Sequence, residues 1–152
     1  MIAGIDPGKY GAVFLLGPPH SYATVPLIMI GGKVRPDYAV WWQRWRPLLL
    51  AASHIVVESV AARPGQGVTS MFSFGYGAGF LYGLVMSCGR PHTFITPQAW
   101  KKVAGLRGSD AEESRRRASQ LLPEAVDFWP RKKDDGVAEA ALIAWAGKRR
   151  VT

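Results

Sequence analysis

The chain has 152 residues, 48% of them apolar and 20% charged, which is ordinary globular usage and excludes a wholly disordered, collagen-like or coiled-coil protein. Nineteen Lys and Arg against 11 Asp and Glu give a net charge of +8, which points to a polyanionic partner, nucleic acid first and an anionic membrane surface second. Cys88 is the single cysteine, so an internal disulfide or a zinc cluster is excluded and a reducing, cytoplasmic compartment fits best.

The length predicts one domain over 1–152. The opening MIAGIDPG lacks the basic segment and apolar core of a signal peptide. Residues 1–5 form an apolar run that ends at Asp6; Pro7, Gly8 and Lys9 make a turn; residues 12–16 form a second run. Together they predict a hairpin. A third short strand is expected near 22–28. Tyr38, Trp41, Trp42, Trp45 and Leu49 stand at helical spacing within 36–52, with Pro36 in the first turn and Pro47 expected to kink or shorten the helix.

Residues 54–60 (HIVVESV) read as the clearest strand, β-branched and interrupted by one acid. A loop follows over 61–67. Residues 68–89 carry no charge and are long enough to span a bilayer. Six glycines and four hydroxyl residues between 67 and 89 predict instead a buried helix of a soluble protein, over 69–87, and no membrane contact. A short strand is expected at 93–95 and a helix opening at Pro97 that carries Lys101 and Lys102. Ser109 or Asp110 caps another helix, with Glu112 and Glu113 in its first turn. The last helix is expected over 134–149. A hairpin followed by alternating strands and helices predicts an α/β domain: three layers, with a central mixed five-stranded sheet flanked by helices.

With only 11 acids in the chain, those at odd positions carry information. Asp6 ends an apolar strand, and Glu58 lies inside the most apolar one. A buried lone carboxylate is costly unless paired, hydrogen-bonded or bound to metal. Asp135 and Glu139 are four apart and share a helix face. That helix is apolar around them and should lay its N-terminal acids on the strand ends. Four converging carboxylates need cations between them, and hard oxygen ligands point to Mg²⁺ or Mn²⁺. Each acid also has a structural explanation. Asp6 could cap a turn, Glu58 could pair with an Arg, and Asp134 or Asp135 could cap the last helix.

GIDPG (4–8), the strand IVVESV with Glu58 (55–60), and DDGVAEAALIA (134–144), in that order, resemble the RuvC-type Holliday junction resolvases of the ribonuclease H-like superfamily. The resemblance runs through nearly the whole chain, including FSFGYGAGFLYG, PQAWKK and GSDAEESRRRA. The short length resembles phage-type members. The family's four acids map onto Asp6, Glu58, Asp135 and Glu139. The chain departs from the bacterial enzyme in spacing the last two by four instead of three and in ending on Glu. Asp134 is therefore a rival third ligand. Glu113 stands where a lysine is common, so that lysine's role passes to Lys101, Lys102 or a neighbouring Arg.

The resemblance implies hydrolysis of DNA phosphodiesters with two Mg²⁺ ions per site, Asp6 bridging them and Mn²⁺ able to substitute. It implies paired symmetric nicks on a four-way junction, leaving 5′-phosphate ends, by a homodimer whose two-fold axis supplies two sites. Gly75, Gly79 and Gly83 either admit a partner's helix or pack closely on the protein's own sheet. Arg63 and Gln66 follow Glu58 and stand where junction DNA should pass. Arg107, Arg115, Arg116, Arg117, Arg131, Lys132 and Lys133 are candidate phosphate contacts, since 12 of the 19 basic residues lie after position 100.

Overall fold

The computed structural model describes every residue except 62–64, 66, 109 and 152. Among the described residues, seven strands and five helices follow one another in the order β1 (Ile2–Ile5), β2 (Ala12–Leu16), β3 (Ser21–Thr24), β4 (Leu27–Ile30), β5 (Lys33–Pro36), α1 (Tyr38–Ala51), β6 (His54–Glu58), α2 (Val68–Ser87), β7 (His92–Ile95), α3 (Pro97–Ala104), α4 (Ala111–Leu121) and α5 (Asp135–Val151). Two short 3-10 turns lie between α4 and α5.

The main sheet has the order β3-β2-β1-β6-β7. β1 pairs antiparallel with β2, and β2 with β3; β1, β6 and β7 run parallel. Both faces are covered, giving the expected three layers. On one face Ile5, Val13, Ile55 and Val57 pack with Trp41, Trp45 and Leu49 of α1 and with Leu81, Leu84 and Val85 of α2. On the other, Phe14 and Val56 pack with Trp100 of α3, Ala118 of α4 and the alanine-rich face of α5. Burying each large apolar side chain of this kind is worth about 1.5–3 kcal/mol.

α5 lies unusually close to the sheet because the facing residues are small. A Cβ on Gly4 would fall 2.2 Å from the Ala140 carbonyl oxygen, and one on Gly147 would fall 2.3 Å from the Val56 side chain. Gly136, Ala140, Ala144 and Gly147 form the inner stripe of the helix at spacings of four, four and three, so helix backbone meets strand backbone directly.

Three expectations are corrected. The single strand near 22–28 is two strands: β3 ends at Thr24, and Leu27–Ile30 begins a separate hairpin with Lys33–Pro36. Its turn residues Gly31 and Gly32 take positive φ of 56° and 72°, the backbone that glycine pairs supply in tight hairpins. Pro36 ends this hairpin, and Asp37 caps α1 by accepting from the Val40 amide; the helix runs on through Pro47 to Ala51. Last, α2 is not a buried helix. It is the one described helix long and apolar enough to cross a bilayer, but only 28% of its apolar stretch is buried. Its inner face, Leu81, Leu84 and Val85, packs on the core, while Val68, Phe72, Tyr76 and Met86 are exposed. Gly75, Gly79 and Gly83 have nothing within 4 Å of a built Cβ, so they do not serve packing on the protein's own sheet.

Candidate active site

Strand alternation delivers the first two acids. β1 and β6 run parallel in the register Ile5↔Val57, so Asp6 and Glu58 come next, side by side on strands about 4.8 Å apart. Ile5 and Val57 point into the α1–α2 core. Alternation therefore turns Asp6 and Glu58 to the other face, beneath α3 and α5. Asp6 is held in place by its turn: the Asp6 amide donates to the Ala12 carbonyl at 3.0 Å, and the Gly8 amide donates to Asp6 Oδ1 at 3.0 Å.

α5 supplies the other two. The absence of a side chain at Gly136 lets its first turn rest on the Asp6 loop. A Cβ there would sit 2.4 Å from the Tyr10 carbonyl oxygen and 3.2 Å from Asp6 Oδ2. Glu139 follows one turn later on the same face as Asp135.

The acids feel one another. Burial, then the nearby Glu139 carboxylate, push the Asp6 carboxyl up to about 7; Glu58 adds to the rise, and the Gly8 amide and Lys101 oppose it. Glu139 is also raised, by burial first, with Glu58 and Asp135 adding to it against the Ser114 hydroxyl and Lys101. Asp6, Glu58, Glu139 and Asp135 thus form one electrostatic group, faced by Lys101 beside Asp6 and Glu139 and by Arg115 at Asp135.

Each of these carboxylates is turned to a polar or charged partner of its own. Trp100 Nε1–H donates to Glu58 Oε1 at 3.0 Å. The Ser114 hydroxyl donates to Glu139 Oε1 at 3.1 Å. The Arg115 guanidinium Nε pairs with Asp135 Oδ1. Among the described residues no three His, Cys, Asp or Glu side chains form a closed ion-binding cluster. Repulsion among carboxylates accounts for that arrangement, since each lowers its energy by leaning toward its own partner. The donor set is all hard oxygen, and it gathers four carboxylates, with Asp6 pushed up to about 7 by burial first and by the Glu139 and Glu58 charges after it. Both features fit a divalent cation of the Mg²⁺ or Mn²⁺ type.

Asp134 is placed elsewhere. It takes Arg131 in a bidentate grip, Nε to Oδ2 at 3.0 Å and Nη2 to Oδ1 at 3.1 Å, and also accepts from the Arg131 amide. Hydrogen bonding from Arg131 holds its carboxyl below the usual range. The structure therefore does not join Asp134 to the group. Of the two lysines, Lys101 is half-buried, with Nζ 5.3 Å from the centre of the Trp100 ring; Lys102 is exposed. Several candidate DNA contacts have internal partners. Arg115 holds Asp135, Arg131 holds Asp134, and Arg117 donates to the Ala104 carbonyl and to Gln120 Oε1. Arg107, Arg116, Lys132 and Lys133 are exposed. Arg63 and Gln66 lie outside the described residues.

Sequence reasoning missed Trp100, Ser114, Arg115 as a partner of Asp135, and Gly136. Ser114 is the one buried polar residue outside the half-buried acids among those described, at 1% exposure. A serine on the inner face of an otherwise charged helix was its available signal.

No protein-family model and no curated protein matches the sequence. Solved structures do match by shape. Thermus thermophilus RuvC in complex with a Holliday junction substrate superposes with a TM-score of 0.60 at 16% identity, covering 99% of this chain and 94% of that one. A second T. thermophilus RuvC structure gives 0.57 at 18% identity with the same coverage. The mixed five-stranded sheet, its flanking helices and their order over the full chain are those of the RuvC-like, ribonuclease H-like fold.

Proposed function

We propose that the chain is a divalent-metal-dependent DNA endonuclease that resolves four-way junctions by paired symmetric nicks leaving 5′-phosphate ends. The observation that carries this reading is the single electrostatic group formed by Asp6, Glu58 and Glu139 at the C-terminal end of parallel strands, on a fold shared with a RuvC bound to a Holliday junction. Asp6, Glu58, Glu139 and Asp135 would hold two Mg²⁺ ions, or Mn²⁺ in their place, which when bound activate water and neutralise phosphate charge. The chain's own residues orient and balance this group. Trp100 and Ser114 each fix one oxygen, of Glu58 and of Glu139 respectively. Lys101 sets a positive charge beside the acids, where a scissile phosphate would lie. The net charge of +8 draws the polyanion in.

Two cuts on opposing strands call for two sites related by a two-fold axis. The bare outer face of α2, with its open glycine row and exposed Val68, Phe72 and Met86, suits a homodimer. We place the protein in the cytoplasm of a bacterial cell or a phage-infected one, as the single thiol and the DNA substrate suggest. A cleavage assay on four-way, three-way, flap and linear DNA with Mg²⁺ and Mn²⁺ tests the reading. Symmetric nicks confined to the four-way substrate are expected. Equal cutting of flaps makes it a general branched-DNA nuclease, and junction binding with no cutting of any substrate rules out the enzyme.

A further inference from the structure

The β4–β5 hairpin pairs only with itself among the described strands and stands outside the main sheet. All four residues of β4 are exposed, Met29 at 63% and Ile30 at 54%. Its root is tied to the acid-bearing turn: the Val25 amide donates to the Gly11 carbonyl at 3.0 Å, and Gly11 packs against the Asp6 carbonyl so tightly that a Cβ would fall 2.1 Å from it. The Asp37 amide closes the other side on the Pro26 carbonyl at 2.8 Å. The hairpin therefore leaves the molecule at the end where the acids lie. Four residues per strand give it a length of about 14 Å.

Its register sorts the side chains into two unlike faces. Residues opposite each other share a face. Leu27↔Pro36 and Met29↔Val34 make one face wholly apolar, whereas Ile28↔Arg35 and Ile30↔Lys33 put both bases on the other. No acid occurs between Pro26 and Pro36, and neither Lys33 nor Arg35 forms an ion pair with a described carboxylate. Both are exposed.

We infer that β4–β5 is a DNA-contacting arm whose Lys33 and Arg35 face grips the phosphates of a duplex arm beside the cut. The inference rests on the nuclease reading for its substrate. A two-stranded ribbon is slim enough to follow a duplex groove, and charge complementarity, together with a root beside Asp6, selects DNA over a second protein. The contact is to phosphate, so it adds affinity and salt dependence without sequence preference.

The experiment measures junction affinity against salt in Ca²⁺ for the unmodified protein, K33A/R35A and M29S/V34S, with light scattering for oligomeric state. K33A/R35A is expected to bind about tenfold more weakly at low salt and to flatten the log–log salt slope by about 1.8, two contacts at 0.9 each. Its cutting rate at saturating DNA should match the unmodified protein's, and M29S/V34S should keep the full slope. An unchanged slope and affinity in K33A/R35A overturn the arm. So does loss of dimer in either variant, which makes the hairpin a subunit contact. An unmodified protein that binds no branched DNA overturns the nuclease reading itself, and the arm with it.

Discussion

Asp6 is the residue on which charge and position meet. Its folded carboxyl, pushed up to about 7, lies above its unfolded value of 3.8, so the native state holds the proton more tightly. Stability of the metal-free protein is then greatest below pH 4 as far as this group is concerned, falls as pH rises from about 4 to 7, and is level above that. The loss amounts to roughly 1–4 kcal/mol, the upper end being the full shift at 1.36 kcal/mol per pH unit. Thermal melts in EDTA should show that fall, and Asp6→Asn should remove it, melting higher than the unmodified protein at pH 8. The same variant should abolish cleavage while junction affinity in Ca²⁺ stays within several-fold. Glu139→Gln should also stop cleavage, and a wild-type rate there would take Glu139 out of the site. Trp100→Phe keeps most of the packing and deletes the donor to Glu58. Leaving that oxygen without its donor costs about 1–3 kcal/mol, so a lower melting temperature and a raised half-saturating Mg²⁺ concentration are expected together.

At the scale of elements, the close seating of α5 sets the geometry. Gly136→Ala would place a methyl group on the Tyr10 carbonyl and against Asp6 Oδ2, forcing the start of α5 off the turn. Overpacking of this kind costs about 1–3 kcal/mol; cutting should fall by at least tenfold while circular dichroism keeps its shape. Much of this was legible in the sequence. Asp6 and Glu58 announced themselves as acids ending or interrupting apolar runs, and period-two alternation with a parallel register is enough to put them on one face. The last helix read clearly because its apolar period is long and its basic end matches the dipole. What did not read were contacts between distant segments. Trp100 and Ser114 meet Glu58 and Glu139 across 42 and 25 residues, and nothing local marks such pairs. Asp134 and Asp135 are adjacent in sequence, yet only the structure shows one turned to Arg131 and the other to Arg115. The Gly31-Gly32 hairpin was a readable signal that a single-strand expectation overlooked, and the bareness of α2 was hidden because glycine is equally at home in a buried and a shared face.

That bareness is a property of the whole molecule. A 20-residue helix is about 30 Å long, and α2 leaves an uncharged strip of that length open. Exposed strips of this size mark a contact surface for another protein or for a membrane, and the proposed function favours a second copy of the chain. The three glycines allow a sharp test, because the two possible roles for them predict opposite signs. In a lone chain a Cβ at Gly75, Gly79 or Gly83 meets nothing, so Ala at each position should stabilise the helix by up to about 1 kcal/mol. Where a partner's helix packs across the row, the same methyl groups hold the two backbones apart and weaken the dimer. The triple variant G75A/G79A/G83A should therefore melt higher than the unmodified protein at concentrations where both are monomeric, and should dissociate at higher concentration in sedimentation equilibrium. If its dimer constant is unchanged, α2 is not the subunit contact and the two sites of the proposed resolvase must be paired through another surface. If no dimer forms with the unmodified chain, even with junction DNA present, paired symmetric nicking loses its geometric basis and single nicks on branched DNA become the expected product.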